Sequence, residues 1–99
     1  MGRIPDNLNI SVGQIRMTAF LVNLGLVVES EKTIGEYRVD CYLPELKYVV
    51  EFDGGSYLTH YGKAKDTRDK VLLTLGVMKV IHVKGTSKEE LAKLKEELG

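Results

Sequence analysis

The stretch that most restricts the fold is a hydrophobic hairpin, VDCYLPELKYVVEFDGG, over residues 39–55. Apolar side chains alternate with other residues on both sides of a central PELK turn, which is typical of two antiparallel strands. A turn centred within PELK places Leu43 opposite Tyr48, and counting outward from that pair brings Asp40 opposite Glu51. The hairpin therefore predicts an antiparallel sheet on which two carboxylates face each other.

Two acids at opposing positions need an explanation, because facing like charges destabilise a sheet by up to about 1 kcal/mol. A divalent cation removes the repulsion, and carboxylate oxygens suit Mg²⁺, Mn²⁺ and Ca²⁺. The alternative is a solvated sheet face with scattered charges, and the residues alone leave both interpretations open. The same register sets Arg38 opposite Asp53, which makes Asp53 either a metal ligand or half of a surface ion pair.

The other segments predict elements in the order α-β-β-β-α-β-α. Capping-box spacings follow Ser11 and Ser87, and Gly25 and Gly76 stand where the first and second helices end. The predicted elements are a helix over 12–24, a strand starting at 27, strands over 37–43 and 48–53, a loop over 57–65, a helix over 66–76, a strand over 77–83 and a final helix. The fold class is α/β (α+β), a small mixed four-stranded sheet flanked by helices.

Periodicity also predicts which side chains lie in the core. Three apolar residues are predicted to share one face of the second strand: Val39, Cys41 and Leu43. Leu72 and Leu75 are predicted to point inward from the second helix. His82 lies within the last strand, where the sequence assigns it no role.

The 99 residues are enough for one small domain, and we expect residues 1–10 to be a flexible lead-in or linker stub before a single domain over 11–99. No apolar run reaches the length of a membrane span, and the single Cys41 has no partner for an internal disulfide, so we expect a cytoplasmic protein. Fourteen basic residues balance fourteen acidic ones, which argues against a domain that binds nucleic acid by charge alone.

The hairpin, His60 and the Asp- and Arg-rich helix that follows resemble the very short patch repair endonuclease branch of the PD-(D/E)XK nucleases. Within that branch, YRVDCYLPELKYVVEFDGGSYLTH and the later KDTRDKVLLTLGVMKVIHV are similar to the catalytic domain of the EDxHD homing endonucleases. The resemblance covers residues 12 to 84, roughly. It implies a restriction endonuclease-like fold and an endonuclease domain that cuts double-stranded DNA with Mg²⁺, or with Mn²⁺ in its place, in a bacterial or phage-infected cell.

Carried over residue by residue, the resemblance gives metal binding to the second and third strands. Asp40 matches the metal-binding acid of the second strand. The second ligand region matches the end of the third strand, with Glu51, the backbone carbonyl of Phe52 and Asp53. His60 matches the catalytic histidine, which orients or deprotonates the attacking water or protonates the leaving oxygen. The residues alone are equally consistent with an exposed loop histidine.

The helix after His60 carries the remaining candidates. Asp66 best matches the last acid of the EDxHD pattern, although Asp69 on the same helix turn competes with it. Lys65 and Arg68 are predicted to contact neighbouring phosphates, although a solvated helix start explains both as well.

Two positions depart from the family pattern. Asp53 stands where the common pattern has a lysine base, and Gln14 stands where the first helix usually carries a catalytic Glu. An amide carries no charge and cannot act as a base, so reduced metal affinity or activity is expected, and Gln14 is also explained as a capping-box residue.

Two alternatives to a nuclease remain. One is a catalytically silent DNA-binding module that keeps the nuclease fold, and the other is a structural domain whose acids solubilise one sheet face. Because the net charge is zero, sequence recognition is expected from an additional DNA-binding region or a homodimer.

Overall fold

The computed structural model describes residues 11–53 and 58–99, with the side chains of 58–65 outside the description. The elements are α1 (Val12–Asn23), β1 (Glu29–Ile34), β2 (Tyr37–Leu43), β3 (Tyr48–Phe52), α2 (Leu58–Thr74), β4 (Lys79–Val83) and α3 (Lys88–Glu97). Their order confirms the predicted α-β-β-β-α-β-α succession. None of the described helices has the length and apolar character needed to cross a bilayer.

The four strands form one mixed sheet in the order β1-β2-β3-β4. The first two pairings are antiparallel, and β3 and β4 run parallel because α2 connects them. Leu43 lies opposite Tyr48 and Cys41 opposite Val50, which confirms the register predicted from the hairpin.

Helices cover both faces of the sheet. On one face, Met17 and Leu21 of α1 and Leu94 of α3 pack on buried strand residues, namely Cys41, Leu43, Val50, Ile81 and Val83. On the other face, Leu72 of α2 packs in a second cluster, with Val39, Val49 and Val77. Val49 and Val50 are neighbours that belong to different clusters, as the alternation of a strand buried on both faces requires.

The alternation of β2 breaks at Asp40. Val39 packs on the α2 side, whereas Cys41 and Leu43 pack on the opposite side, so the prediction that these three share a face is wrong. The pairing of β1 with β2 skips Glu31, which lies across from Asp40 between the pairs Ser30–Cys41 and Lys32–Val39. Glu31 has a φ of 54°, in the left-handed region. The pairing of β2 with β3 extends only to Cys41 and Val50, and beyond it the backbone N–H of Asp40 bonds with a side chain.

Three other predictions were wrong in detail. The first strand begins at Glu29 rather than at 27, and the predicted loop over 57–65 is helical from Leu58. This first part of α2 has too few apolar residues at helical spacing to be recognised in the sequence. Leu72 is buried as predicted, but Leu75 is half exposed, although its backbone N–H still donates to the Val71 carbonyl as in the helix.

The start of α1 lies unusually close to the end of β3. Ser11 Oγ accepts a hydrogen bond from the Gln14 backbone N–H at 3.1 Å, which confirms the predicted cap. One residue into the helix, a Cβ on Gly13 would fall 2.2 Å from the Phe52 ring. Glycine therefore allows α1 to pack directly against the strand end that carries the acids.

Candidate active site

Two carboxylates meet where β2 and β3 separate. The Asp40 backbone N–H donates to Glu51 Oε2 at 3.0 Å, and the Phe52 backbone N–H donates to Asp40 Oδ2 at 2.7 Å. Each carboxylate thus accepts a hydrogen bond from the backbone of the opposite strand. The predicted encounter of Asp40 and Glu51 is confirmed.

Ionising Asp40 and Glu51 at the same time is unfavourable. Glu51 is 6% exposed; its burial raises its pKa, and repulsion from Asp40 raises it further. Burial also raises the pKa of Asp40, opposed by the hydrogen bond from Phe52 and reinforced by the charge of Glu31. A cation between the two carboxylates would favour their ionised forms.

Arg68 supplies one positive charge from α2. Its Nη2 lies 2.7 Å from Glu51 Oε1 in an ion pair that is largely shielded from solvent. Burial lowers the pKa of Arg68, but the hydrogen bond and charge of Glu51 outweigh burial and raise it overall. Among the described residues, its buried Nε has no hydrogen-bond partner. Arg68 therefore neutralises Glu51 and ties α2 to β3.

His82 bridges two more acids on the same side of the sheet. Its Nδ1 lies 3.0 Å from Asp53 Oδ1 and its Nε2 lies 2.6 Å from Asp69 Oδ2. The hydrogen bond to Asp53 raises the pKa of His82 against the effect of burial, and Asp69 raises it further. A doubly protonated ring satisfies both carboxylates, since a neutral imidazole has only one N–H to donate.

Sequence reasoning missed His82, although a signal was present. His82 lies between Ile81 and Val83, which are both buried on the α1 and α3 side, so alternation turns its side chain towards α2. The parallel pairing then sets it beside Glu51 on β3. Only this pairing, which the sequence does not show, reveals that the histidine belongs with the acids.

Gln14 contacts a carboxylate that the sequence did not single out. Its Nε2 donates to Glu31 Oε2 at 2.6 Å, and Glu31 Oε1 also pairs with Arg38 Nε at 3.3 Å. The Gln14 backbone N–H is thus capped by Ser11, while its side-chain amide donates to Glu31 of β1. The sequence held no signal for Glu31, because a left-handed residue inside a strand is not encoded by periodicity.

The predicted site residues fall into three groups. Five come together where β3 ends and α2 packs: Asp40, Glu51, Phe52, Asp53 and Arg68. Asp66 is exposed on α2, and its competitor Asp69 is the acid that contacts His82. The backbones of His60 and Lys65 belong to α2, while their side chains lie outside the described residues.

The donor chemistry of the site suits a hard divalent cation without completing its coordination. Among the described residues, no group of three or more His, Cys, Asp or Glu side chains is arranged to hold a metal. Two mutually repelling carboxylates and a backbone carbonyl nevertheless match Mg²⁺, which takes its other ligands from water and substrate phosphate. Such an ion has to share Glu51 with Arg68.

The architecture is that of an α+β domain with a four-stranded mixed sheet and three helices. It is similar to a solved structure, the catalytic domain of the homing endonuclease I-Bth0305I, with a TM-score of 0.68 and 18% sequence identity over 90% of this chain and 91% of that chain. At this identity, the likeness shows a shared fold. No protein-family model matches the chain, and no curated protein matches it.

Proposed function

We propose that this chain is a metal-dependent DNA endonuclease domain that hydrolyses phosphodiester bonds, as the catalytic part of a homing or repair-type endonuclease. The observation that carries the proposal is the reciprocal bonding of Asp40 and Glu51 to the backbones of opposite strands. It concentrates two partly buried carboxylates at one point. The likeness to an endonuclease catalytic domain supports the same function, as does the resemblance to the PD-(D/E)XK nucleases.

The residues proposed to hold Mg²⁺ or Mn²⁺ are Asp40, Glu51, the Phe52 carbonyl and Asp53. Such an ion polarises a phosphoryl group and lowers the pKa of water. Asp40 and Glu51 are kept in place by their backbone hydrogen bonds, and His82 holds Asp53. The strand ends thus provide a preorganised set of oxygen ligands.

Residues of α2 are proposed to act on the scissile phosphate. Arg68, whose planar guanidinium suits phosphate oxygens, and Lys65 are proposed to contact neighbouring phosphates. His60 is proposed to orient or deprotonate the attacking water. Asp66 remains the proposed last acid, with Asp69 as its competitor.

Double-stranded DNA is the proposed substrate, in the cytoplasm of a bacterial or phage-infected cell. A chain with equal numbers of acidic and basic residues has no excess charge with which to hold DNA. We therefore propose that a further DNA-binding region or a homodimer supplies target recognition.

The test of this function is cleavage of supercoiled plasmid with Mg²⁺, with Mn²⁺ and with a chelator. We expect the parent to cut only with metal and Asp40→Asn to lose the activity. Glu45→Gln is the matched control, because it removes an exposed acid from the turn of the same hairpin. Absence of cutting by the parent, or equal cutting by Asp40→Asn, contradicts the proposal.

A catalytically silent DNA-binding module is the second candidate, and Gln14 favours it because its amide is already engaged by Glu31. Gln14→Glu alone would set two carboxylates against each other. The exchange Gln14→Glu with Glu31→Gln keeps the hydrogen bond and the net charge while moving the acid to α1. An inactive parent that becomes active in this double variant supports the silent module; an active parent excludes it.

A further inference from the structure

His82 connects three elements through one ring. It belongs to β4, its Nδ1 contacts Asp53 just after β3, and its Nε2 contacts Asp69 on α2. About four fifths of its side chain is shielded, and the contacting carboxylates are shielded to a similar or greater extent. Groups of this charge are buried only where they are paired, so the contacts are part of the packing.

The two contacts of His82 lie beside the ion pair of the site. Asp69 follows Arg68 directly in α2, and Arg68 holds Glu51 on β3. Consecutive residues of one helix therefore tie down both acids at the end of β3, Glu51 directly and Asp53 through the histidine. The same helix carries the backbone of His60 about two turns earlier.

We propose that His82 is a positioning residue of the proposed nuclease site, which holds Asp53 through Nδ1 and anchors α2 through Nε2. This inference rests on the proposed function and adds to it a residue that neither touches the substrate nor binds the metal. Its role is to fix the direction of the Asp53 carboxylate and the distance between the strand ends and α2. Partners that orient a metal ligand in this way change metal affinity or activity by about 10- to 100-fold when they are lost.

Two isosteric substitutions separate the two contacts. The amide of His82→Asn lies where Nδ1 lies, so this variant keeps a donor for Asp53 and loses Asp69. The amide of His82→Gln reaches the position of Nε2, so this variant keeps a donor for Asp69 and loses Asp53. Urea unfolding of the two variants measures which of the two contacts contributes more to stability.

The experiment measures kcat and KM for metal-dependent plasmid cleavage, together with urea unfolding, for the parent and both variants. We expect kcat to fall about 10- to 100-fold in His82→Gln and much less in His82→Asn, with KM nearly unchanged in both. A purely structural role predicts equal kcat in the two variants when both are assayed under conditions in which urea unfolding shows them to be folded.

The outcomes distinguish this inference from the function on which it rests. An active parent with Asp40-dependent cleavage, but with equal kcat in the two folded variants or a higher kcat in His82→Gln, overturns the role of His82 alone. A parent that cuts no DNA overturns both. The inference is supported only if the variant that keeps the Asp53 contact keeps the higher kcat.

Discussion

Glu51 contacts both the other strand of the hairpin and the arginine of α2. One of its oxygens accepts the Asp40 backbone N–H, and the other pairs with Arg68. Loss of Arg68 would leave a buried carboxylate without a counter-charge, which costs far more than loss of an exposed pair. The stability of the fold and the charge of the site are therefore coupled through one ion pair.

Arg68→Met is expected to lower the free energy of unfolding by about 3 kcal/mol, because it leaves Glu51 buried and unpaired. Urea unfolding measures the change, and Glu51→Gln added to Arg68→Met should restore part of it. Arg38→Met is the control: its pair with Glu31 leaves 68% of the Arg38 side chain exposed, against 25% for Arg68, so a change below about 1 kcal/mol is expected. Equal losses in the two single variants would refute this account.

His82 makes the stability depend on pH. Its pKa is raised above the ordinary 6.5 in the folded chain by the hydrogen bonds to Asp53 and Asp69. The stabilisation is complete below about pH 6.5 and is lost as the pH rises through the folded pKa. The advantage of the parent over His82→Gln in urea unfolding should therefore shrink as the pH rises from about 6.5 through the folded pKa. A difference that stays constant over this range would show that the ring is not charged in the fold.

For individual residues, the sequence predicted the positions of side chains that follow from the register of a hairpin. It missed the positions that depend on pairing between strands distant in the sequence. Asp40 and Glu51 could be matched by counting from the turn between them. His82 could not, because its place beside Glu51 depends on the parallel pairing of β3 with β4. Glu31 could not either, since its left-handed backbone has no sequence signal.

Among the elements, α1 has a position that depends on a glycine, Gly13, because any larger residue there would collide with β3. Gly13 lets the helix lie against the Phe52 ring, and Phe52 is also the residue whose N–H holds Asp40. Phe52 therefore contacts α1 through its ring and holds Asp40 through its backbone N–H.

Gly13→Ala is expected to destabilise the chain by about 1–3 kcal/mol, because the new Cβ overlaps the Phe52 ring. Thermal or urea unfolding measures the cost. Gly85→Ala is the matched control, since a Cβ there meets its nearest neighbour, Glu90 Cγ, at an ordinary 3.6 Å. If Gly13→Ala proves as well tolerated as Gly85→Ala, the close approach of α1 to β3 is wrong.

The order of the elements could be predicted because caps, turn residues and alternation are local signals, as at Ser11 and in the PELK turn. The start of α2 could not, since its first residues form a helix without apolar periodicity. The exposure of Leu75 was missed because helical spacing alone does not show how far a neighbouring element covers that face of the helix.

In the whole molecule, the sheet presents its acids on the side covered by α2. Glu51 and His82 both point towards this helix, and Arg68 and Asp69 meet them from it. The opposite face is filled by α1 and α3. The domain therefore separates a face that serves mainly for packing from a face on which ionisable groups are concentrated.

The most direct test of the central claim is a calorimetric titration of the parent, Asp40→Asn and Glu45→Gln with Mn²⁺. Repulsion from Asp40 raises the pKa of Glu51, and a divalent ion between the two carboxylates would offset that repulsion and should bind with a measurable heat. The account predicts saturable binding in the parent and in Glu45→Gln, and its loss in Asp40→Asn. No binding in the parent, or equal binding in Asp40→Asn, would contradict a metal site at the ends of β2 and β3.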